Sequence, residues 1–291
     1  MNIVEHRIYT KDYLTKSNLP ASDYVINPYI GCPHACKYCY ARFMKRFTRH
    51  EEEWGEFIDV KVCQKPISLN RIKGKSVFLS SVTDCYNSFE EKYGITRSII
   101  EQLVNADCEL TISTKSSLIL RDIDILKKIR KLKVALSLNT LQEKFRADMD
   151  NASSISGRLD TLKSLHEAGI HTVLFMSPIF PYITDYKEII NQTKDFVTEY
   201  WFEDLNLRGA YKKTILRYIE EHYPESTEVY HDIYIRKDRT YWDTLSESLQ
   251  IYCEKQGCQY VIFFNHTKLV KEKKESSKTW VTPLCVQKDN Q

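Results

Sequence analysis

Short apolar segments alternate with helical segments through the first two thirds of this 291-residue chain. The predicted strands cover residues 24–26, 76–82, 109–113, 133–138, 171–177 and 201–207. Helices are predicted between them over residues 95–105, about 121–132, a stretch that ends at Gly169, and about 185–199. Apolar strands that alternate with helices are typical of a parallel sheet covered by helices. Because eight such units close a barrel, these six predict an α/β fold with a partial (β/α)6 TIM-like barrel.

The alternation ends near residue 207 and divides the chain into two predicted parts. Residues 18–207 form the β/α core, and residues 208–291 form a mostly helical C-terminal extension packed on it, with one late strand at 260–264. No apolar run approaches the roughly 20 residues that a bilayer requires, and residues 1–16 lack the apolar stretch of a signal peptide. We therefore expect a cytoplasmic protein without a membrane segment.

Three of the nine cysteines lie within eight residues, in the pattern C-x3-C-x2-C formed by Cys32, Cys36 and Cys39. They follow the first predicted strand, so they lie at the carboxyl edge of the sheet, where barrel enzymes carry their chemistry. In a chain without a signal peptide such spacing indicates a metal site rather than disulfides. Most [4Fe–4S] clusters take four cysteines, so three thiolates would leave one iron open, as in catalytic metal sites.

A zinc site is the alternative, with His34 or His50 as the fourth ligand beside the three cysteines. Structural zinc sites usually combine two C-x2-C pairs across a longer gap. This chain has one tight triplet and no second pair of that kind. The spacing therefore favours an iron–sulfur cluster over zinc.

The cysteine loop and several later segments resemble the radical S-adenosylmethionine (SAM) superfamily. The segments that carry the resemblance are NPYIGCPHACKYCYARFMKRF (27–47), SSVTDCYNSFE (80–90), TKSSLILRDIDIL (114–126), VALSLNT (134–140) and MSPIFPYITD (176–185). They are most similar to the spore photoproduct lyase-like branch. Two further segments are most similar to the mobile-pair type B proteins of that branch, which occur beside a second radical SAM enzyme. These segments are FEDLNLRG (202–209) and RKDRTYW (236–242).

The resemblance implies that the three cysteines hold a [4Fe–4S] cluster whose open iron binds SAM. Reductive cleavage of SAM would then give a 5′-deoxyadenosyl radical that takes hydrogen from a substrate, chemistry that belongs to the cofactor. It also implies an external electron donor of the flavodoxin or ferredoxin type, and it leaves room for a second radical SAM protein as a partner. The substrate is not readable from the sequence.

Polar residues at the ends of the predicted strands are candidates to bind SAM. Ser81, Thr83 and Asp84 follow the second strand, where small polar groups on a barrel rim suit hydrogen bonds to a ligand, although turn formation would also explain them. The candidates after later strands are Lys115, Ser137 and Asn139. The resemblance assigns Tyr38 to the adenine and Lys115 to the SAM carboxylate. Packing and solvent exposure remain the alternatives for both.

Other residues carry weaker hypotheses. Cys85, beside the expected SAM loop, is either a hydrogen-atom donor to a substrate radical or a small buried side chain. A second cluster is a weaker hypothesis for Cys253, Cys258 and Cys285. The candidates for substrate contact are Arg208, Lys212, Lys213 and Trp242. Two other functions stay open: repair of a DNA lesion, as in spore photoproduct lyase, and a non-catalytic iron–sulfur or zinc module. A net charge of +3 is too small to indicate nucleic-acid binding by itself.

Overall fold

The computed structural model describes residues 3–265, and strands and short helices alternate through most of that range. The strands are β1 (Val4–Tyr9), β2 (Leu14–Lys16), β3 (Tyr24–Ile26), β4 (Tyr29–Ile30), β5 (Phe57–Val62), β6 (Lys75–Leu79), β7 (Cys108–Thr114), β8 (Leu132–Ser137), β9 (His171–Ile179), β10 (Glu199–Asp204) and β11 (Gln259–Ile262). The α-helices are α1 (Leu69–Ile72), α2 (Glu90–Tyr93), α3 (Ile95–Leu103), α4 (Ile123–Leu126), α5 (Glu143–Met149), α6 (Ile155–Glu167), α7 (Tyr186–Thr193), α8 (Gly209–His222), α9 (Thr227–His231) and α10 (Thr240–Gln256). Tyr40–Phe47, Ser117–Asp122 and Pro224–Ser226 are 3-10 helices, and Asp232–Arg236 is a π-helix.

The central sheet has eight strands in the order β11-β10-β9-β8-β7-β6-β3-β2. All neighbouring strands are parallel except β2, which runs antiparallel to β3 at the edge. The predicted α/β fold with a mostly parallel sheet is confirmed. The late strand pairs with β10 and thereby adds a seventh parallel strand to the six expected.

The division at residue 207 stays a prediction, and residues 266–291 of the predicted extension lie outside the described residues.

The two faces of the central sheet have different surroundings. One set of strand residues packs against the helices, as Leu136 and Leu174 do with Leu162 of α6. Alternate residues on the other face, such as Ala135 and Trp201, pack among side chains from the strands and the residue that follows β11. This inner cluster is the packed interior expected of a partial barrel.

A second, three-stranded sheet with the order β1-β5-β4 was not predicted from the sequence. β1 pairs in parallel with β5, and β5 pairs in antiparallel with β4, which directly precedes the cysteines. Phe57 of β5 is buried against Cys32 and Trp54. This small sheet therefore forms the support on which the cysteine loop rests.

The helix predicted over residues 121–132 is shorter in the structure. It consists of a 3-10 helix followed by the four residues of α4, and β8 begins at Leu132. Ile123, Leu126 and Ile129 recur every three residues, which is the period of a 3-10 helix rather than of an α-helix. The bond from the N–H of Ile129 to the carbonyl of Leu126 has this i+3 spacing.

Candidate active site

The cysteine loop leaves β4 through a glycine whose conformation and surroundings exclude a side chain. Gly31 has a φ of +90°, and a Cβ atom there would lie 2.3 Å from the backbone oxygen of Phe57. Only glycine allows this approach of two backbone segments. Further along the loop, a turn returns Cys39 toward Cys36, whose carbonyl accepts a 3.1 Å hydrogen bond from the N–H of Cys39. The backbone thus fixes the relative position of these two thiols.

Contacts with two neighbouring segments hold the loop at the sheet edge. At the end of α5, the carbonyl of Met149 accepts a hydrogen bond from the N–H of Lys37 at 2.9 Å. Just after this helix, the N–H of Asn151 donates to the carbonyl of His34 at 2.8 Å. On the side of β6, the imidazole Nε2 of His34 lies 3.1 Å from Oδ2 of Asp84. Backbone hydrogen bonds and the contact between His34 and Asp84 therefore hold the loop in place.

The three candidate ligands lie in a poorly solvated environment. Cys32 and Cys36 are buried and Cys39 is partly buried. Burial raises the pKa of all three thiols above the ordinary range, while the positive charge of Lys115 acts in the opposite direction on Cys36 and Cys39. A positively charged metal centre would be the group that converts these neutral thiols to thiolates.

The spacing of the thiols bears on which metal group they fit. Within residues 3–265, three side chains of the types that bind metals place one ligand atom each within 4.8 Å of the others. They are His6, His50 and Asp59, and no cysteine is among them. A tetrahedral zinc ion would hold thiolate sulfurs only about 3.8 Å apart. The three sulfurs do not all lie within 4.8 Å of one another, so they are not already gathered around a single zinc position. His50 lies with His6 and Asp59, which disfavours it as a fourth ligand.

The loop after β6 is joined to the cysteine loop by Asn27 and Thr83. Oδ1 of Asn27 accepts hydrogen bonds from the N–H groups of Ser81 at 2.8 Å and Val82 at 3.0 Å. The hydroxyl of Thr83 donates to the carbonyl of Gly31 at 2.6 Å. Of the predicted SAM contacts, Ser81 and Thr83 thus lie beside the cysteine loop and also connect it to the sheet.

Asp84 is a buried acceptor for several groups at the carboxyl edge of the sheet. Oδ1 accepts from the hydroxyl of Thr114 at 2.7 Å, and Oδ2 accepts from the N–H of Lys115 at 2.8 Å. Burial alone would raise the pKa of Asp84, but His34 and these hydrogen bonds lower it below its ordinary value. Asp84 is therefore an anion that joins the ends of β6 and β7 to the cysteine loop.

Lys115 and Tyr38 lie together at the centre of the site. The Lys115 ammonium is 5.5 Å from the centroid of the Tyr38 ring and 3.4 Å from the carbonyl of Ser177. Tyr38 is buried, with its ring edge-on to Phe180 at 5.4 Å, and its hydroxyl donates to Asp150 at 3.2 Å. Lys115 and Tyr38, which were predicted separately as SAM contacts, thus lie side by side next to the cysteines.

Ser137 and Asn139 also lie at this edge, at the end of β8, and both are buried. The amide of Asn139 donates to the carbonyl of Pro178 at 3.0 Å. The carbonyl of Ser137 accepts from Arg158 at 3.2 Å. All seven residues predicted for SAM therefore converge at the edge that carries the cysteines, while their contacts with SAM stay predictions.

Two acidic residues of this region were missed by the sequence reasoning. Ser177 donates a short hydrogen bond to Glu203 at the end of β10, and burial raises the pKa of Glu203 to about 7. Asp150, which receives the Tyr38 hydroxyl, forms a buried ion pair of 2.6 Å with Arg158. The occurrence of the charged Glu203 inside the predicted strand at 201–207 was the available signal. Nothing in the sequence pattern identified the Asp150–Arg158 pair.

The remaining cysteines do not extend the site within the described residues. Cys85 has no exposed surface and belongs to the hydrophobic core that contains Ile99, so its position favours a packing role over hydrogen-atom transfer. Cys253 is buried in α10, and Cys258 is partly buried. Cys285, the third member of the hypothetical second cluster, lies outside the described residues.

A cavity of about 180 Å³ lies at the carboxyl end of β10, between that strand and the helices that follow α8. Arg208 and Trp242, two predicted substrate contacts, line it together with Asp204 and Arg239. The other two predicted contacts lie elsewhere: Lys212 donates to the carbonyl of Tyr234, and Lys213 is exposed. The cavity is large enough to admit a small group of a substrate.

The fold and the site define a partial β/α barrel with three thiols gathered at the carboxyl edge of its strands. The Radical SAM superfamily matches residues 26–193, which is more than half of the chain, and the chain belongs to this superfamily. It is 40% identical over 225 residues to the protein MJ0683 of Methanocaldococcus jannaschii, covering 77% of this chain and 85% of the relative. It is 25% identical over 253 residues to Rv2578c of Mycobacterium tuberculosis, covering 80% and 74%.

Solved structures show the same fold. Spore photoproduct lyase complexed with a dinucleoside spore photoproduct superposes with a TM-score of 0.54 at 18% identity, over 75% of this chain and 66% of the lyase. Streptococcus suis SuiB bound to S-adenosylmethionine gives a TM-score of 0.51 at 15% identity, over 83% of this chain and 49% of SuiB. These superpositions show the fold. The match over residues 26–193 confirms the resemblance to the radical SAM superfamily, while the narrower likeness to mobile-pair type B proteins stays a prediction.

None of the helices within residues 3–265 combines the length and the apolar character needed to cross a membrane.

Proposed function

We propose that this protein is a radical SAM enzyme in which Cys32, Cys36 and Cys39 hold a [4Fe–4S] cluster. When bound, the cluster supplies the electron that cleaves SAM to a 5′-deoxyadenosyl radical able to take hydrogen from a substrate. The observation that carries this proposal is the gathering of three free thiols of one loop with Lys115 at one edge of the sheet. Superfamily membership supports it.

Different residues of the chain have different roles in this proposed function. Lys115 supplies a positive charge that attracts the SAM carboxylate, while Ser81, Thr83, Asp84, Ser137 and Asn139 surround the same space with hydrogen-bonding groups. Tyr38 packs beside the adenine. Burial of the cysteines and of Tyr38 keeps water from the reacting centre.

Glu203 and the cavity lined by Trp242 and Arg239 face the substrate in this proposal. With a pKa of about 7, Glu203 is partly protonated at neutral pH, so it can donate or accept a proton at its carboxyl oxygen. Reduction requires an external donor of the flavodoxin or ferredoxin type. The reaction type and the substrate are not part of the proposal.

Anaerobic reconstitution tests the proposed function. The full chain, loaded with ferrous iron and sulfide, is expected to release 5′-deoxyadenosine from SAM when dithionite is added.

Lys115→Met is expected to weaken SAM binding at least tenfold, because a charge-assisted hydrogen bond contributes about 1.5–3 kcal/mol. Isothermal titration and nucleotide analysis measure the two effects, with Lys213→Met as an exposed control. A chain that binds only stoichiometric zinc and releases no 5′-deoxyadenosine would contradict the proposal.

A nucleic-acid substrate is a second candidate, and the 3-10 helix after the cysteines favours it. The rings of Tyr40, Phe43 and Phe47 on this helix are exposed, Phe47 by 65%. The guanidinium of Arg46 lies 4.7 Å from the centroid of Phe47. Exposed aromatic rings interleaved with cations are the features on which single-stranded bases stack.

Binding of a fluorescent single-stranded oligonucleotide tests this candidate. We expect affinity to fall steeply between 50 and 200 mM salt, and Phe47→Ala to weaken binding at least about fivefold, because stacking contributes about 1–3 kcal/mol per base. Tyr9→Ala removes an aromatic ring that is 80% exposed on β1 and is the matched control. If the unmodified chain and Phe47→Ala bind the oligonucleotide equally well, the aromatic surface of this 3-10 helix is not a nucleic-acid binding site.

A further inference from the structure

Two histidines and an aspartate meet on the small sheet, outside the site described above. His6 in β1 stands directly opposite Asp59 in β5 in the parallel register of these strands. His50, from the segment between the 3-10 helix and β5, stacks on His6 with centroids 4.9 Å apart and on Phe57 at 4.0 Å. Residues from three separate chain segments therefore present ligand atoms to one point.

The distances among these atoms suit a metal ion. Nε2 of His50 is 2.8 Å from Oδ1 of Asp59, and Nδ1 of His6 is 3.8 Å from the same oxygen. One ligand atom from each residue lies within 4.8 Å of the others. Around tetrahedral zinc, nitrogen and oxygen ligands are about 3.3 Å apart, so small movements of the side chains would complete the site.

Glu52 gives His50 the orientation that metal-binding histidines usually have. Its Oε2 lies 3.0 Å from Nδ1 of His50, on the side of the ring away from Asp59. A histidine ligand generally donates its second N–H to a carboxylate, which fixes the tautomer and leaves the other nitrogen for the metal. With Glu52 as that acceptor, Nε2 is the nitrogen available for binding beside Asp59.

Charge and access also favour a cation here. Asp59 and Glu52 place two carboxylates around one buried imidazole, and a dication would balance them. The side chains of His50 and Asp59 are nearly buried, whereas that of His6 is 60% exposed. The site is therefore rigid on the side of the sheet and open to solvent at His6, where an ion can enter and a water molecule can complete the coordination.

We propose that His6, His50 and Asp59 bind one divalent transition-metal ion, zinc by their ligand chemistry, with Glu52 orienting His50. The ion joins β1, β5 and the segment that follows the cysteines. Because His50 stacks on Phe57, and Phe57 packs against Cys32, the ion braces the support of the cysteine loop. This proposal is independent of the cluster and of SAM.

Zinc titration of the purified full chain, in competition with a chromophoric chelator, tests the site. Since the cysteines also take up zinc, the readout is the difference between variants. We expect His6→Gln to lose one equivalent of zinc, or to bind it at least about tenfold more weakly, and its folding to be unaffected because His6 is exposed. His231→Gln is the matched control, since His231 is partly exposed and contacts Glu220, away from the proposed site.

Cobalt substitution separates this site from the cysteines. The equivalent that His6→Gln loses should show ligand-field bands without the strong thiolate charge-transfer absorption of cobalt bound to sulfur. Zinc should also raise the melting temperature of the unmodified chain more than that of His6→Gln. The proposal would be overturned if the unmodified chain and His6→Gln had the same zinc stoichiometry, zinc affinity and thermal shift. The three residues would then be a cluster of hydrogen-bonded side chains without a metal.

Discussion

Replacing Cys32, Cys36 or Cys39 by alanine is expected to remove the bound iron and to lower 5′-deoxyadenosine formation at least about a thousandfold, or about 4 kcal/mol of barrier. The proposed cluster has only three protein ligands, so each cysteine holds an iron that no neighbouring residue can take over. Histidine rescue is not expected, because His34 faces Asp84 and His50 faces Asp59. Iron analysis, visible absorption and nucleotide analysis of anaerobically reconstituted protein measure the effect.

Two other cysteines serve as controls for this experiment. Cys63 is partly exposed and lies beyond the end of β5, with its thiol 3.5 Å from the carbonyl of Lys65, so Cys63→Ala should retain full iron and turnover. Cys258→Ala should do the same if the chain holds one cluster, and iron loss there would indicate a second. Retention of iron and turnover in any of the three loop variants would contradict the assigned ligand set.

The parallel sheet could be predicted because its signals are local. β8 carries an apolar run that is buried on both faces, and β-branched residues such as Val77 in β6 and Ile112 in β7 favour strands. The cysteine spacing is equally local, since three ligands within eight residues need no knowledge of the fold. Lys115 could be predicted as a site residue because polar residues at the carboxyl ends of parallel strands lie at the same edge of the sheet.

The small sheet could not be predicted because its pairing is long-range and its pattern is weak. β1 reads VEHRIY, in which charged and apolar residues do not alternate strictly, and only its pairing with β5 about fifty residues later stabilises it as a strand. The proposed zinc ligands were missed for the same reason. His6 and Asp59 become neighbours only through that register.

Several residues predicted to bind SAM also organise the protein itself. Thr83 joins the loop after β6 to Gly31, and Asp84 joins β7 to His34. A sequence pattern identifies such residues as polar and rim-located, but it does not separate ligand contacts from internal ones. Substitution at Asp84 will therefore report on loop position as well as on SAM. Lys115 is a cleaner probe, because its ammonium makes a long 3.4 Å contact with Ser177 and lies over the Tyr38 ring.

Asp150→Ala is expected to reduce the free energy of unfolding by about 3–5 kcal/mol, the usual effect of leaving one member of a buried ion pair without its partner. Arg158 has no exposed side-chain surface and Asp150 has 1%, and their 2.6 Å contact lies below the cysteine loop. Burial alone would raise the pKa of Asp150, but Arg158 and Lys115 lower it below its ordinary value. This contribution is therefore present above the unfolded pKa of about 3.9 and lost as the pH falls through the folded pKa.

Urea unfolding of the iron-free chain under reducing conditions measures this loss, and a double variant separates charge from packing. Asp150→Asn combined with Arg158→Met removes both charges, so it should be less destabilised than Asp150→Ala alone. Arg236→Ala, which breaks an exposed pair with Glu228, should change stability by less than about 1 kcal/mol. Because Asp150 also accepts the Tyr38 hydroxyl between two cysteines, Asp150→Ala should bind less iron even where it remains folded. A cost as small as that of Arg236→Ala would show that this pair does not hold the cysteine loop in place.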